Sequence, residues 1–310
     1  MIYTCTITPS IDYTAYLSHF ESGKLNRSEE VYYYPGGKGI NVSRVLSRLG
    51  LGSRALGYAG GFTGHYIEQF LAEEGIETDF IDTGEITRIN VKIKTDKETE
   101  LNGPGPEINE TQLQELNNKI STMKQDDWFV LAGSLSKSIP MQFFKDLANT
   151  CNERGIHFVL DTSGSALKEL IDTKPFLIKP NEHELGEIFG VAIHTQSEAF
   201  HYASKLVDQG IEHVVVSMGA AGAIYANRDQ WYTAQAPKGN VVNTVGSGDS
   251  LVSGFIASYI DEQDPVRAFQ YGVASGSATA FRTDLCEKQD VEQLLAEVKV
   301  LPFDKKDVTK

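Results

Sequence analysis

Asn243-Thr244-Val245-Gly246-Ser247-Gly248-Asp249-Ser250-Leu251 is the stretch on which the rest of the chain turns. From Leu251 onward the apolar residues Leu251, Val252, Phe255, Ile256, Tyr259 and Ile260 recur at helical spacing, so one face of a helix starting here belongs to a core. Its polar start faces something else. Two close glycines let a ligand approach the backbone, and first-turn amides without intrahelical acceptors, backed by the helix dipole, form an anion site. Asp249 in that turn repels an anion unless the site needs a base. A tight turn followed by an ordinary N-terminal helix acid explains a lone Gly-x-Gly-Asp equally well. What the rest of the chain supplies decides between them.

With 310 residues, 41% hydrophobic and 23% charged, the chain has the composition of a globular protein with room for one large α/β domain or two small ones. A formal net charge of −14 argues against nucleic acid or an anionic membrane surface as partner, and no apolar run is long enough to span a bilayer. Met1-Ile2-Tyr3-Thr4-Cys5 has neither the basic start nor the apolar core of a signal peptide, so a soluble cytoplasmic protein is expected. Cys5, Cys151 and Cys286 are widely spaced and odd in number, which points to buried thiols. Charge is uneven. Between residues 21 and 54, Lys24, Arg27, Lys38, Arg44, Arg48 and Arg54 face only Glu21, Glu29 and Glu30, a basic surplus expected to draw a small anion.

Ile2-Tyr3-Thr4-Cys5-Thr6-Ile7 alternates as a strand that ends at Thr8-Pro9-Ser10, with Asp12 just beyond it. Ligands of open α/β sheets gather outside the carboxyl ends of strands, which makes Asp12 a candidate contact beside its plainer reading as a turn aspartate. Glu30-Val31-Tyr32-Tyr33-Tyr34 is a second short strand leading into Pro35-Gly36-Gly37-Lys38-Gly39-Ile40-Asn41-Val42, a glycine loop that feeds a helix closed by Gly50. This is not a Walker A loop. Tyr32 stands where that motif needs its first glycine, and Gly39 stands where Ser or Thr should follow the lysine. Arg88, Asn90, Lys92 and Lys94 alternate with Ile89, Val91 and Ile93, giving a strand with one wet, cationic face. With Thr99 to Pro106 it reads as a hairpin that joins residues 13–34 in a small antiparallel sheet.

From Asn109 onward helices and strands alternate, with strands at Trp128 to Leu131, His157 to Leu160, Phe176 to Ile178 and Val214 to Ser217, which implies a parallel sheet covered on both faces. Polar residues collect where those strands end. They are Gly133-Ser134, Asp161-Thr162-Ser163-Gly164, Lys179-Pro180-Asn181 with Glu184, and Ser217-Met218-Gly219-Ala220-Ala221-Gly222. One crevice should collect them with Asp12 and Asp249. An anion site, a carboxylate placed as base, a second glycine loop and Asn181 with Glu184 as a metal-water site together fit phosphoryl transfer, which asks a protein for positioning, charge stabilisation and a proton acceptor.

In this order the landmarks resemble those of the ribokinase-like (PfkB) sugar kinases from Ile2 to about Arg282. They are Thr8-Pro9-Ser10-x-Asp12, Pro35-Gly36-Gly37-Lys38-Gly39-Ile40-Asn41, Gly133-Ser134-Leu135, Asp161-Thr162-Ser163-Gly164, Lys179-Pro180-Asn181-x-x-Glu184, Ser217-x-Gly219-x-x-Gly222 and the Asn243–Ser250 stretch. Lys38 and Thr99-Glu100-Leu101-Asn102-Gly103-Pro104-Gly105-Pro106 are most similar to the branch acting on ketohexose phosphates, the 1-phosphofructokinases with the tagatose-6-phosphate kinases beside them. The resemblance implies an α/β three-layer sandwich with a mostly parallel central sheet. It implies one domain over residues 1–310, with a β-sheet lid from about 13–35 and 87–103 that forms a homodimer.

The resemblance also implies ATP-dependent phosphorylation of fructose 1-phosphate to fructose 1,6-bisphosphate, with tagatose 6-phosphate or another sugar as the alternative substrate. Asp249 would be the base, beside an anion hole of Gly246, Ser247 and Gly248. Asp12, Gly36, Gly37 and Asn41 would hold the sugar, and Lys24, Lys38, Arg88 and Ser134 its phosphate. Lys179, Asn181, Ser217, Gly219 and Gly222 would bind ATP, with Mg2+ held by Glu184 through water. Two departures stand out: Ser136-Lys137-Ser138 replaces the usual Pro-x-Gly after Gly-Ser-Leu, and Ser247 replaces the commoner alanine. Two other classes fit the residues less well. A nicotinamide oxidoreductase would need a third glycine where Leu251 stands. A non-catalytic sugar-phosphate sensor would have no use for Asp249, Asn181 and Glu184 together.

Overall fold

The computed structural model describes residues 1–308. Its strands are β1 (Ile2–Thr6), β2 (Ser10–Tyr16), β3 (Glu30–Gly36), β4 (Ser53–Ala59), β5 (Glu77–Asp82), β6 (Ile89–Lys94), β7 (Glu98–Leu101), β8 (Trp128–Ala132), β9 (His157–Asp161), β10 (Leu177–Ile178), β11 (His213–Ser217), β12 (Ala223–Ala226), β13 (Trp231–Ala234) and β14 (Val300–Pro302). Ten of them form one sheet in the order β14-β13-β12-β11-β10-β9-β8-β1-β4-β5. The other four form a small sheet in the order β3-β2-β6-β7.

β8 shows why the large sheet is covered twice. Phe129 and Leu131 join one core with Phe158, Leu160, Val214 and Val216, whereas Trp128, Val130 and Ala132 join another with Val159, Val215 and Tyr225. A strand apolar on both faces needs a helix layer on each. Helices Glu110–Ser121, Met141–Glu153, Glu182–Phe189 and Gln196–Asp208 supply Leu116, Phe144, Leu185 and Phe200 to the first core. Helices Lys38–Arg48, Ser247–Glu262, Pro265–Ala280 and Lys288–Leu295 supply Val45, Phe255, Phe269 and Val291 to the second. The helix after Gly246 buries Leu251, Val252, Phe255 and Ile256 as its spacing predicts, while Ile260 turns out to solvent.

Seven strands from β5 to β11 run parallel, and the chain reverses its direction of travel across the sheet at β1, between β4 and β8. Such a reversal opens a crevice at the carboxyl ends of the strands. The large sheet is mostly parallel, as expected, with β12, β13 and β14 added antiparallel at its edge. The small sheet needs two corrections. It begins at Ser10, so Asp12 lies inside β2 and not in a turn beyond β1, and β2 pairs with β6 in parallel. The three thiols are free and buried. No helix among the described residues is long and apolar enough to cross a membrane.

Candidate active site

A cleft of about 1360 Å³ opens where β1, β8 and β9 end, between the large sheet and the small one. That is more room than one small ligand fills. Helix Lys38–Arg48 enters it first. Gly37 has φ 128°, and a side-chain carbon on it or on Gly39 would come within 2.5 or 2.6 Å of the Thr6 side chain, so the glycines let this helix start directly on β1. The Thr6 hydroxyl accepts from the Ile40 N–H at 3.0 Å, replacing the missing side-chain cap. One turn along, Asn41 faces the helix that opens with Ser247.

That second helix has no side-chain cap either, and Gly246 takes the left-handed conformation (φ 82°) at its start. The Ser247 N–H donates to the Thr244 carbonyl at 3.2 Å. Of the three amides expected to receive an anion, that of Ser247 is therefore engaged, and the first-turn amides without an acceptor are those of Gly248 and Asp249. Lys179 reaches this turn, its Nζ 2.9 Å from where a side-chain carbon on Gly248 would sit.

Asp249 is 5% exposed, and its Oδ2 accepts from Asn41 Nδ2 at 2.8 Å. Burial pushes its carboxyl up to about 6; the charge of Asp161 adds to the rise, and Lys38, Asn41 and Lys179 oppose it. A carboxyl tuned this close to neutrality is a proton acceptor of useful strength.

Asp161, at the end of β9, carried no assigned role in the sequence. It is 1% exposed and pairs through Oδ1 with Lys38 Nζ at 3.1 Å and Lys179 Nζ at 3.6 Å. Burial pushes its carboxyl up, but Lys179 and Lys38 outweigh burial and hold it below the ordinary aspartate value. Asp161 in turn holds the Lys38 ammonium well above the usual lysine range. Lys38 and Lys179, assigned to different ligands from sequence, thus share one counter-ion.

On the small sheet, Asp12 Oδ1 accepts from the Ser10 hydroxyl (2.7 Å) and Asn90 Nδ2 (3.0 Å), and its Oδ2 pairs with Lys92 Nζ at 3.0 Å. A side-chain carbon on Gly36 would strike Asp12 and Ser10. Arg88 donates to the carbonyls of Thr8 (2.8 Å) and Gly103 (3.2 Å), while its Nε is buried without an acceptor. Ser134 lines the same wall, its carbonyl accepting from the Thr8 hydroxyl at 3.0 Å. The loop that departs from Pro-x-Gly is tied down instead by its serines: Ser136 donates to the Pro106 carbonyl at 3.1 Å, and Ser138 accepts from the Ile108 N–H at 3.2 Å. Asn90 and Lys92 join the site as alternating residues of β6, a pattern the sequence showed without marking them as ligands.

Of the predicted residues, Gly36 stands behind the cleft wall and Lys24 lies away from it. Lys24 is on the exposed loop between β2 and β3, paired with Glu21 at 2.7 Å. Most of the basic surplus around it is likewise spent elsewhere. Arg44 and Arg48 pair with Glu74 and Asp284, and Arg54 pairs with Glu77.

The opposite half of the cleft is formed by Ser217 at the end of β11, by Gly219 and Gly222, and by Asn181 and Glu184. Gly222 has φ 88°, and a side chain on it would collide with the Ala234 carbonyl. Asn181 and Glu184 form a reciprocal capping box. Asn181 Oδ1 accepts from the His183 and Glu184 N–H groups (2.9 and 2.8 Å), and Glu184 Oε2 accepts from the Asn181 N–H (2.9 Å). No cluster of three or more His, Cys, Asp or Glu residues forms a metal cage among the described residues.

Residues 6–291 match the family model described as pfkB family carbohydrate kinase. Among curated proteins, the 1-phosphofructokinase of Bacillus subtilis is 50% identical over 97% of this chain and 99% of its own length. The D-tagatose-1-phosphate kinase of Bacillus licheniformis is 35% identical over 97% and 99%. Among solved structures, phosphofructokinase-2 from Escherichia coli in complex with substrates and products superposes with a TM-score of 0.91 at 27% identity, covering 96% of this chain and 98% of that one.

Proposed function

The chain belongs to the pfkB family of carbohydrate kinases, and from that premise we propose that it transfers the γ-phosphoryl group of ATP to the C6 hydroxyl of fructose 1-phosphate, giving fructose 1,6-bisphosphate and ADP. The observation that carries the chemistry is Asp249, a buried carboxyl near neutrality beside open first-turn amides. The choice of sugar follows the 50% identical relative.

Asp249 takes the proton of the C6 hydroxyl as its oxygen bonds to the γ-phosphorus and ADP leaves. The amides of Gly248 and Asp249, with Lys179 beside them, meet the charge spread over the transferred group. Asp12, Asn90 and Asn41 read the ring hydroxyls, the Gly36-Gly37 backbone lies against the sugar, and Arg88 and Ser134 receive the C1 phosphate. Ser217, Gly219, Gly222 and Asn181 form the nucleotide side. Glu184 fits the family's magnesium ion: one carboxylate suffices for a cation that keeps water and phosphate oxygens as its other ligands, and the capping box employs only its Oε2. When bound, Mg2+ supplies neutralisation of the phosphate charge.

A coupled ADP assay at fixed MgATP, comparing fructose 1-phosphate, fructose 6-phosphate, tagatose 1-phosphate and tagatose 6-phosphate, tests the reading. Each buried polar group left unpaired by the wrong epimer costs about 1–3 kcal/mol, so kcat/KM for fructose 1-phosphate should lead each tagatose phosphate by at least about tenfold. A lead for either tagatose phosphate would overturn the choice of sugar and leave the phosphoryl-transfer chemistry in place.

We also assign the exposed face of the small sheet to a homodimer. Tyr33, Leu101 and, on the adjoining loop, Leu25 are 52%, 71% and 77% exposed, an apolar surface of the kind that marks association. Lys24, on that loop, would then reach the cleft of the second copy. Sedimentation should give a dimer, converted to monomer by Y33E; a fully active monomeric wild type would remove both assignments. A cytoplasmic location is proposed with it, because ATP and sugar phosphates are the substrates of this reading.

A further inference from the structure

Lys38 and Lys179 come from different parts of the chain and converge on one atom. Lys38 opens its helix at the end of the Gly36-Gly37 loop, Lys179 follows β10, and both ammoniums face Asp161 Oδ1, at 3.1 and 3.6 Å. They can be no further apart than those two distances laid end to end. Asp161 Oδ2 is buried with no hydrogen-bond partner, so among the described residues the two lysines are what engages this carboxylate. Lys179 Nζ also lies beneath the anion turn, 2.9 Å from where a side-chain carbon on Gly248 would be. Lys38 lies on the other side, packed against Gly133 at the end of β8.

A buried carboxylate in a phosphate site weakens the attraction for phosphate, so its presence needs a reason. Lysine carries a compact charge on four rotatable bonds, and without a fixed partner each ammonium would follow whichever phosphate lay nearer. We propose that Asp161 is a positioning residue that fixes Lys38 and Lys179 as a pair on the phosphoryl group in transit, one ammonium from the acceptor side and one from the donor side. Lys38 is then not a ligand of the sugar's own phosphate, nor Lys179 of the nucleotide alone. The inference rests on the kinase reading above. Cations held by a fixed buried anion need no rearrangement when charge spreads over the transferred group, which is where electrostatic catalysis gains most.

Asp161 has a second effect through Asp249. The groups facing Asp249 are Lys38 and Asn41 from helix Lys38–Arg48, Lys179 from the segment after β10, and Asp161 from β9. Neutralising Asp161 removes a repulsion that favours the protonated base, so Asp249 would ionise at lower pH.

The test uses K38M and D161N with whichever ketohexose phosphate the wild type turns over best. Both variants should lower kcat at least about tenfold while the KM for the sugar phosphate stays within about threefold, the pattern of an interaction made in the transition state. D161N should also move the acid limb of the kcat/KM profile to lower pH. The substrate phosphate ionises identically in both assays, so a displaced limb belongs to the enzyme. If K38M raises the sugar-phosphate KM about tenfold or more at unchanged kcat, Lys38 serves the sugar's own phosphate and the proposal falls. It falls equally if D161N loses activity with a lower Tm and an unmoved acid limb. Should D161N not fold, K38M alone decides. A wild type that phosphorylates none of the sugar phosphates would instead remove the kinase reading.

Discussion

Replacing Asp249 by asparagine should lower kcat by roughly 10²–10⁴ with little change in either KM. The amide matches the carboxylate in shape and still offers an oxygen to Asn41 Nδ2, which donates to Asp249 Oδ2 at 2.8 Å in the native protein. Proton acceptance is what disappears. The amides of Gly248 and Asp249 remain open to the transferred group, so substrate positioning survives and a residual rate remains, as expected when one catalytic element is removed from a preorganised site. Because Asp249 is buried and its carboxyl is pushed up, removing the charge also relieves a desolvation penalty, and D249N should be no less stable than the native protein. Steady-state kinetics alongside thermal unfolding would check both halves. Full activity in D249N would end its assignment as base.

Arg88→Ala should raise the KM for the sugar phosphate by roughly 10- to 150-fold, corresponding to a charge-assisted hydrogen bond of about 1.5–3 kcal/mol, and leave kcat and the KM for ATP within about threefold. The reason lies in what Arg88 lacks. Its guanidinium is held by neutral acceptors, the Thr8 and Gly103 carbonyls and the Thr8 hydroxyl, and among the described residues its buried Nε has no acceptor and no carboxylate lies within ion-pair distance. Burial pushes its pKa below the ordinary arginine value, the mark of a cation waiting for an anion. A phosphate dianion supplies that charge and suits the planar fork. Arg88→Lys should recover part of the affinity. Equal rises in both KM values for R88A would make Arg88 a support of the small sheet and not a substrate ligand.

The layers of this fold were legible because their signals are local. Phe129 and Leu131 alternate with Trp128, Val130 and Ala132, and the glycines punctuate strand ends. The antiparallel edge was not legible: Ala223-Ile224-Tyr225-Ala226 is buried throughout and shows no alternation, and Val300-Leu301-Pro302 is too short to register. β2 was hidden by Pro9-Ser10, which reads as a stop although the chain simply turns into a second strand. In the site, Asp249, Asn41 and Arg88 were found because each sits in a local motif. Asp161 was missed because its meaning is the meeting with Lys38, 123 positions away. Lys24 stays outside the cleft of its own copy, and the basic surplus around it does not converge there either, because the fold sends Arg44, Arg48 and Arg54 to separate acidic partners. The spacing of Asn181 and Glu184 carries two meanings at once, since the same residues cap a helix and line the cleft.

β1 passes into β2 across only Ile7, Thr8 and Pro9, and Arg88 is tied to that crossing through Thr8. Of the groups proposed for the acceptor, Asp12, Asn90, Lys92 and Arg88 therefore ride on or against the small sheet, while Asn41 and Ser134, like Asp249 and Lys179, are carried by the large one. Water is the acceptor every such enzyme must refuse, because it is always present at far higher concentration than the sugar. A water molecule carries neither the phosphate that Arg88 lacks nor the ring hydroxyls that would compete for Asp12, so it gives the two sheets nothing to close around. On the kinase reading, carrying part of the acceptor site on a second body is expected to keep wasteful ATP hydrolysis slow without any group devoted to preventing it.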